Sequence, residues 1–209
     1  MKGIEVIEPH QRPGRQALLT KAFALRHRVF VEERGWEFLR RPDGLDIDEH
    51  DESSTFHVLA VEEDRVQGHV RMVPGGYLVI ATADPDRVRA AAGDASLYGL
   101  SRLCVSPSVV GGIERRAISL RLLAVGFQGV IERGCRALLF DTDPSIVFLL
   151  RSLGLAVEFV GEPAPIAGRF MQAVVLRLDT SVVSGLTLSM ARWNEPAHGG
   201  DGRLADLSN

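Results

Sequence analysis

Carboxylates and a histidine crowd one short stretch of the chain. Residues 46–52 read DIDEHDE, so six of seven positions are charged or histidine, and the apolar run FHVLAV follows shortly after. Like charges this close repel one another, so the arrangement is favourable only if a cation lies among them or water screens them. The candidate cations are a metal ion, a group of arginines and a cationic substrate, and an exposed acidic turn is the alternative.

A metal site is one interpretation of this stretch. Its conceivable ligands are the nearby carboxylates and histidines, namely Asp48, His50, Asp51, His57 and His69. Histidine and carboxylate both bind zinc, but these residues lack a dependable ligand spacing. The sequence therefore predicts that no metal is bound here.

Arginines offer a second interpretation. Arg71 in GHVRMVP and Arg102 in LSRLCVSP both lie on segments that resemble inner strands. Burying an unpaired charge is costly, so these arginines require carboxylates. Asp48 and Asp51, three residues apart, could each engage a different arginine within one ion-pair network. Such a network could be purely structural or could hold a substrate.

The segment RHRVFVEERGW adds an arginine and two aromatic side chains. Arg26 and Phe30 are four residues apart and share a face of a helix. The helical pattern favours a core position for Phe30. Trp36 could close the core at the helix end, or it could present its indole face to a cation.

Periodicity predicts the elements that position these residues. Apolar spacings of three and four from 16 to 34 predict a helix that stops at Gly35. The segments after it read, in order, as the hairpin FHVLAV and VQGHVRMV, the strand GLSRLCVSP, the helix GGIERRAISLRLLAVGFQGVIERG, the strand RALLFDT, the helix PSIVFLLRSLG, and the strands LAVEFVG and MQAVVLRLD. This order predicts an α/β fold with a mixed sheet, in which antiparallel hairpins flank strand–helix–strand crossovers. We predict one domain over residues 1–190 and a mobile tail over 191–209.

Composition excludes several classes of function. The 209 residues carry a net charge of −3, which gives no footprint for nucleic acid. No apolar run approaches the roughly 20 residues of a membrane span, and the N-terminus has no apolar secretory region. The two cysteines, Cys104 and Cys135, lie in apolar surroundings and are expected to be reduced thiols of a cytoplasmic protein.

Taken in order, RHRVFVEERGW, DEHD, GHVRMVP and LSRLCV resemble the LuxI-type acyl-homoserine-lactone synthases, the autoinducer synthases. The resemblance covers about residues 15–110, and FDTDPSIVFLLRSLGL resembles part of that family's acyl-pocket half. It implies a GNAT-like acyltransferase fold, with a mixed central sheet whose splayed strands hold the acyl donor and are flanked by helices. It also implies that S-adenosylmethionine and an acyl thioester give an N-acyl-homoserine lactone, a quorum-sensing signal, and methylthioadenosine. S-adenosylmethionine would be a co-substrate, and no cofactor would be permanently bound.

The resemblance also assigns roles to residues. Its catalytic residues are Arg26, Asp48, Asp51, Arg71 and Arg102. The residues expected to bind S-adenosylmethionine are Phe30, Trp36, Asp48, Arg71, Ser101 and Arg102. The residues expected to line the acyl pocket are Leu103, Cys104, Phe140, Thr142, Phe148 and Leu149. In this scheme the carboxylates and Trp36 suit the sulfonium and ammonium of the substrate, while the arginines hold the carboxylates and orient the substrate carboxylate.

One departure from the family pattern concerns the general base. The family usually has a glutamate two residues before the serine or threonine of its Ser/Thr-Arg strand, whereas this chain has Gly99. A water held by Asp48 or a backbone carbonyl could then accept the proton, or the activity could be altered. Two alternatives to synthase activity remain, namely a GNAT-type N-acyltransferase for another amine and an inactive acyl-carrier-binding relative.

The resemblance leaves the acyl donor open between acyl-CoA and acyl carrier protein. A carrier protein would need a basic face, which Arg115, Arg116, Arg121 and Arg133 of the long helix could supply. The loop RRPDG resembles relatives that use branched or aryl acyl-CoA. We expect no nucleic-acid or membrane partner, and a monomer or weak homodimer.

Overall fold

The computed structural model describes residues 2–51, 54–76, 83–93, 96–166, 168–181 and 183–186. In this part of the chain, eight strands form a mixed sheet. The strands are β1 Lys2–Ile7, β2 Phe56–Glu62, β3 Arg65–Pro74, β4 Leu97–Val105, β5 Ala137–Thr142, β6 Ala156–Phe159, β7 Ala164–Ile166 and β8 Arg169–Arg177. The helices are α1 Arg12–Arg26, α2 Pro85–Ala92, α3 Gly112–Glu132 and α4 Pro144–Ser152, together with a π-helix at His27–Glu33 and single 3₁₀ turns at Pro9–Gln11, Glu37–Leu39 and Glu49–Asp51.

The sheet has two antiparallel parts joined by one parallel pair. The strand order is β1-β2-β3-β4-β5-β8-β6, with β7 paired to β8 at its start. Strands β4 and β5 are parallel and pair only at Leu97 with Ala137 and at Tyr98 with Leu138. Beyond these two pairs the strands diverge and open a cleft. The predicted mixed sheet with splayed strands is therefore confirmed.

Helices cover both faces of the sheet because its strands alternate apolar side chains between the faces. On β2, Val58 packs into the cluster under α3 and α4, whereas Leu59 packs under α1. Helix α3 lies so close to β3 that a Cβ at Gly126 would clash with the Met72 side chain. A side chain at position 126 would therefore require the terminal methyl group of Met72, the end of a flexible side chain, to move.

Three features differ from the sequence-based prediction. Strand β1 pairs along its whole length with β2, although residues 2–7 were not predicted as a strand. The short strand β7 was also not predicted. The helix predicted over 16–34 begins earlier, at Arg12, and its last seven residues before Arg34 are wound as a π-helix. Its end at Gly35 is confirmed, since that residue has a left-handed φ of 71°.

Within the described ranges, no helix has both the length and the apolar character needed to cross a membrane. The predicted tail, residues 191–209, lies outside the described residues. The single-domain assignment for 1–190 stays a prediction, and the sheet joins elements from both ends of that range.

Candidate active site

A cavity occupies the cleft where β4 and β5 diverge. Its lining residues come from the π-helix and its end, from β4, from β5 and the start of α4, and from β8: Phe30, Arg34, Trp36, Leu100, Ser101, Arg102, Leu103, Phe140, Asp141, Thr142, Asp143, Ile146 and Met171. The charged and polar side chains among them are Arg34, Ser101, Arg102, Asp141, Thr142 and Asp143, and the other seven are apolar. Both strands therefore contribute polar and apolar groups to one mixed lining.

Three arginines and three aspartates form one buried ion-pair network beside this cavity. Arg26 binds Asp51 with two hydrogen bonds, of 2.6 and 3.0 Å, and donates from Nε to Asp46 at 3.1 Å. Arg102 donates to Asp46 at 2.6 and 3.2 Å. Asp46 thus bridges Arg26 of α1 and Arg102 of β4, which lie far apart in the sequence.

The third arginine completes the network. Arg71 donates from Nη2 to Asp48 at 3.0 Å and contacts Asp51 at 2.9 Å. Its Nε donates to Ser101 Oγ at 2.9 Å, and Arg102 reaches Asp48 at 3.3 Å. The predicted ion-pair network therefore forms, but Asp48 contacts Arg71 and Arg102 while Asp51 contacts Arg26 and Arg71, so the two aspartates share Arg71.

The electrostatics of this network favour ionised carboxylates. Burial opposes their ionisation, but the neighbouring guanidiniums outweigh burial and lower the pKa of Asp46, Asp48 and Asp51. Three positive and three negative charges cancel, so the network is neutral as a unit. The arginines are therefore the cations that the crowded acidic stretch requires. Asp48 is the most accessible of the carboxylates, with 17% of its side chain exposed.

A bulge in β4 places Arg102 beside the cavity. His69 pairs with Cys104 and Arg71 with Ser101, so Arg102 and Leu103 together face Val70. Arg102 has a φ of 55°, in the left-handed region that a non-glycine residue rarely adopts. Strained backbone of this kind persists only where its surroundings hold it, and it is frequent at functional sites.

Aromatic rings line the cavity next to the ion-pair network, where the Arg102 guanidinium lies 5.6 Å from the Phe30 ring centroid. Trp36 packs on Phe30 with ring centroids 5.1 Å apart and stacks on Phe38 at 5.9 Å. Trp36 is 7% exposed, so it belongs to the core as well as to the cavity lining. Its buried indole Nε1–H has no hydrogen-bond partner among the described residues. A buried donor without a partner is costly, so an acceptor from a bound molecule would stabilise it.

The structure brings together half of the residues expected to bind the acyl group. Leu103, Phe140 and Thr142 line the cavity. The other three expected residues, Cys104, Phe148 and Leu149, lie outside its lining. Cys104 packs in the core under α1, where burial raises the pKa of its thiol to about 12.

The remaining two residues lie on α4. Phe148 is 77% exposed and points nearly opposite to Ile146, which lines the cavity, because successive helical residues point about 100° apart. Leu149 is half-buried and lies one turn beyond Ile146 on nearly the same helix face. A role for Phe148 and Leu149 in the acyl pocket stays a prediction.

Several site residues were missed by the sequence-based prediction. The most important is Asp46, which is 1% exposed and bridges Arg26 and Arg102. It begins the acidic stretch but lies outside the Asp-x-x-Asp motif. Arg34 was also missed, although it lines the cavity and its guanidinium lies 5.1 Å from the Phe30 ring centroid. The buried pair His57 and His69 was considered only as a source of metal ligands.

The histidines lie behind the network and are uncharged. Burial lowers the pKa of His57 to about 3 and that of His69 well below its ordinary value. Across the residues that the structure describes, no group of three or more potential ligands is arranged to hold a metal ion.

Comparisons with known proteins agree with this geometry. A family model described as "Autoinducer synthase" matches residues 11–186. Isovaleryl-homoserine lactone synthase of Bradyrhizobium diazoefficiens is 45% identical over 71 residues, which span 34% of this chain and 32% of that protein. Acyl-homoserine-lactone synthase of Ralstonia nicotianae is 27% identical over 168 residues, which span 77% of this chain and 82% of that protein.

Solved structures are similar over most of the chain. A CoA-dependent acyl-homoserine lactone synthase, BjaI, solved with SAM and isopentyl-CoA, superposes with a TM-score of 0.73, 26% identity and coverage of 91% of this chain and 90% of that one. An acyl-CoA N-acyltransferase from Pseudomonas aeruginosa, at 14% identity, has a TM-score of 0.57 over 86% of this chain and all of that one, which shows a shared fold alone. The GNAT-like fold expected from the sequence is confirmed.

Proposed function

The chain belongs to the autoinducer synthase family, and on this premise we propose that it makes an N-acyl-homoserine lactone from S-adenosylmethionine and an acyl-CoA, with release of methylthioadenosine. The observation that carries the proposal is the cavity between β4 and β5, whose lining combines charged and apolar side chains. The charged groups of S-adenosylmethionine suit the charged part of this lining, and an acyl chain suits the apolar part. A cytoplasmic location and a signalling role for the product belong to the same proposal.

Two bond exchanges make up the reaction. The substrate ammonium loses a proton, its nitrogen attacks the thioester carbonyl, and the thiolate leaves. The amide retains one of the three ammonium protons, one protonates the thiolate, and one passes to solvent. The carboxylate oxygen then attacks the carbon next to the sulfonium, and methylthioadenosine leaves with the electron pair of the broken bond. Binding the substrate in a curled conformation brings these two groups together.

The network residues divide into two groups by their position relative to the cavity and to solvent. Arg26, Arg71 and Asp51 are buried behind the cavity, so they act by holding their partners in place. Asp48 is more accessible, and Arg102 lines the cavity. We assign substrate contact to these last two residues. A water held by Asp48 then accepts the ammonium proton, since Gly99 supplies no carboxylate.

The aromatic residues and Ser101 complete the co-substrate side. Phe30 and Trp36 line the cavity, so we assign them contact with S-adenosylmethionine. Trp36 Nε1–H also offers a donor to an acceptor atom of the same molecule. Ser101 Oγ accepts from Arg71 and lines the cavity, so it fixes the substrate against β4.

The charge balance points to Arg34 as the contact for the substrate carboxylate. The three network arginines are already matched by three aspartates. The Arg34 guanidinium has no hydrogen bond or ion pair with any residue in the described ranges, and partial burial lowers its pKa. An anionic ligand would compensate for that partial desolvation. We therefore expect Arg34→Gln to raise the KM for S-adenosylmethionine, whereas Arg40→Gln, an exposed control paired to Glu37, should leave the KM unchanged.

Two observations favour acyl-CoA over acyl carrier protein. The BjaI structure holds isopentyl-CoA, and the Bradyrhizobium relative is an isovaleryl-homoserine lactone synthase. In addition, two of the four arginines considered for a carrier protein already bind other residues of this protein. Arg115 donates to the carbonyl oxygens of Val105 and Ser106, and Arg133 binds Glu8.

The direct test uses purified protein with S-adenosylmethionine and a panel of acyl-CoAs and acyl carrier proteins, with straight and branched chains. Chromatography measures methylthioadenosine, and mass spectrometry identifies the lactone. We expect both products with a branched short-chain acyl-CoA. Free CoA released with other amines, but without methylthioadenosine, would favour the alternative N-acyltransferase. Neither product with any donor would favour an inactive relative.

A further inference from the structure

Two buried histidines form a hydrogen-bonded chain behind the cavity. His57 on β2 and His69 on β3 are each 0% exposed, and His57 Nδ1 lies 3.1 Å from His69 Nε2. At one end, Arg12 Nη2 lies 3.3 Å from His57 Nε2. At the other end, His69 Nδ1 lies 3.2 Å from the backbone carbonyl oxygen of Arg102. Every ring nitrogen of the pair therefore has a partner.

The chemistry of the two ends fixes the direction of every hydrogen bond in this chain. A guanidinium can only donate, so His57 Nε2 accepts from Arg12. Neutral His57 then carries its hydrogen on Nδ1 and donates to His69 Nε2. Neutral His69 in turn carries its hydrogen on Nδ1 and donates to the Arg102 carbonyl, which can only accept. Both ends require the same tautomers, so the chain has one consistent arrangement.

The Arg102 carbonyl belongs to the strained residue of the β4 bulge. That bulge places Ser101, Arg102 and Leu103 along the cavity. The left-handed backbone of Arg102 needs support from its surroundings. The His69 hydrogen bond holds the carbonyl of this residue while its side chain is held by Asp46.

The hydrogen-bonded histidine chain also reaches the acidic stretch through Arg12. Arg12 donates to the backbone carbonyl of Thr55 at 2.7 Å and to that of Asp51, so it closes the loop that carries the aspartates. The histidine chain thus connects the acidic loop to the bulge through the interior of the sheet. A shift at one end would move the other, because buried polar chains have few alternative partners.

We propose that His69, oriented by His57 and Arg12, is a positioning residue for the synthase reaction, and that its Nδ1–H holds the β4 bulge so that Arg102 and its neighbours meet the substrates in register. The proposal rests on the proposed function. His69 touches neither substrate and acts only through the Arg102 backbone. A displacement of about 1 Å in a reacting group can cost about 100-fold in rate.

Two nearly isosteric substitutions test the proposal. In His69→Asn the amide nitrogen is attached to Cγ, as Nδ1 is in histidine, so a donor to the Arg102 carbonyl is retained. In His69→Leu the leucine side chain has almost the same shape as asparagine but has no hydrogen-bond donor. Both leave the same space next to His57, so they lose packing equally. We expect His69→Asn to stay within about 10-fold of wild-type kcat and His69→Leu to fall about 100-fold, measured well below each melting temperature.

The control is His10→Asn, which changes an exposed histidine and should leave kcat unchanged. Equal kcat for folded His69→Asn and His69→Leu, or wild-type kcat in His69→Leu, would overturn the proposal. A difference only in melting temperature would likewise assign His69 a purely structural role.

A second measurement uses the wild-type protein, so it depends neither on the folding of a His69 variant nor on enzyme activity. Nitrogen-15 chemical shifts of the wild-type imidazoles report which ring nitrogen carries hydrogen. We expect Nδ1–H and bare Nε2 on both His57 and His69, and a protonated Nε2 on either would refute the chain. If the tautomers are as expected but the wild type yields no lactone, the proposed function has failed while the hydrogen-bonded chain stands.

Discussion

Replacing Asp46 by asparagine should separate the stability of the ion-pair network from its catalytic use. Asp46 Oδ2 accepts from Arg26 and Arg102, and Oδ1 accepts a further bond from Arg102. An asparagine has one oxygen in place of two, so at least one guanidinium N–H loses its acceptor. The network also changes from neutral to a net charge of +1 in a buried place.

The expected loss of stability is large. Removing one partner of a buried ion pair costs about 3–5 kcal/mol, because the charge left behind is uncompensated. With a urea m-value of about 2 kcal/mol per molar, the unfolding midpoint should fall by about 2 M. Asp48→Asn should cost less stability, since 17% of its side chain is exposed and water can solvate the altered group. It should cost more activity, because we assign substrate contact to Asp48.

Urea unfolding followed by tryptophan fluorescence measures the stability, and methylthioadenosine release from the folded protein measures the activity. Asp64→Asn is the matched control, because its ion pair with Lys21 is exposed and such pairs contribute little. If Asp46→Asn unfolds at the same urea concentration as the control, the network does not stabilise the fold in the way argued. If Asp48→Asn keeps full activity, Asp48 does not act on the substrate.

Three further outcomes follow from the structure. Because the pKa values of His57 and His69 are lowered in the folded protein, the unfolded chain binds protons first as the pH falls below about 6.5. The free energy of unfolding should therefore decrease by about 2 kcal/mol per histidine between pH 7 and pH 5. Urea unfolding that is independent of pH in this range would contradict the burial of these histidines as neutral groups. Trp36→Phe keeps a ring but loses the unpartnered indole donor, so the KM for S-adenosylmethionine should rise moderately, and Trp36→Ala should raise it further; a change in melting temperature alone would assign Trp36 to the core only. Gly99→Glu places a carboxylate on the same face of β4 as Ser101 and should raise kcat by up to about 100-fold through general-base help; lost activity with a higher KM for the acyl donor would instead show that Gly99 leaves room for that donor.

Much of the fold was predictable because its elements carry local patterns. The hairpin β2–β3, the helices α3 and α4 and the strand β5 each have the periodicity of their type. Strand β1 was not predicted, since its partner β2 is about 55 residues away and only that pairing makes the segment a strand. The phase of α4 was also beyond the sequence, because Ile146 and Phe148 are both apolar and packing alone decides which one faces the cavity.

The charged site was predictable only in part for a similar reason. Asp48 and Asp51 stood out by their spacing, and the arginines stood out as charges on inner strands. Asp46 has no such spacing, and its two partners come from α1 and β4. The histidine chain depends on the register between β2 and β3, which sets Leu59 opposite His69 and brings His57 diagonally beside it. That register is fixed by the turn and the packing, not by either histidine.

The two residue pairs that join β4 to β5 also bear on how such enzymes diversify. The ion-pair network is built entirely from elements up to β4, whereas Phe140, Thr142 and Ile146 come from elements beyond that seam. Mutations in the elements after β4 can therefore reshape the part of the lining that meets the acyl chain without breaking any ion pair of the network. Under the proposed function, an enzyme lineage can change the acyl group of its lactone product while keeping the same amine substrate. A few substitutions on one side of the cleft would then produce a new signal molecule.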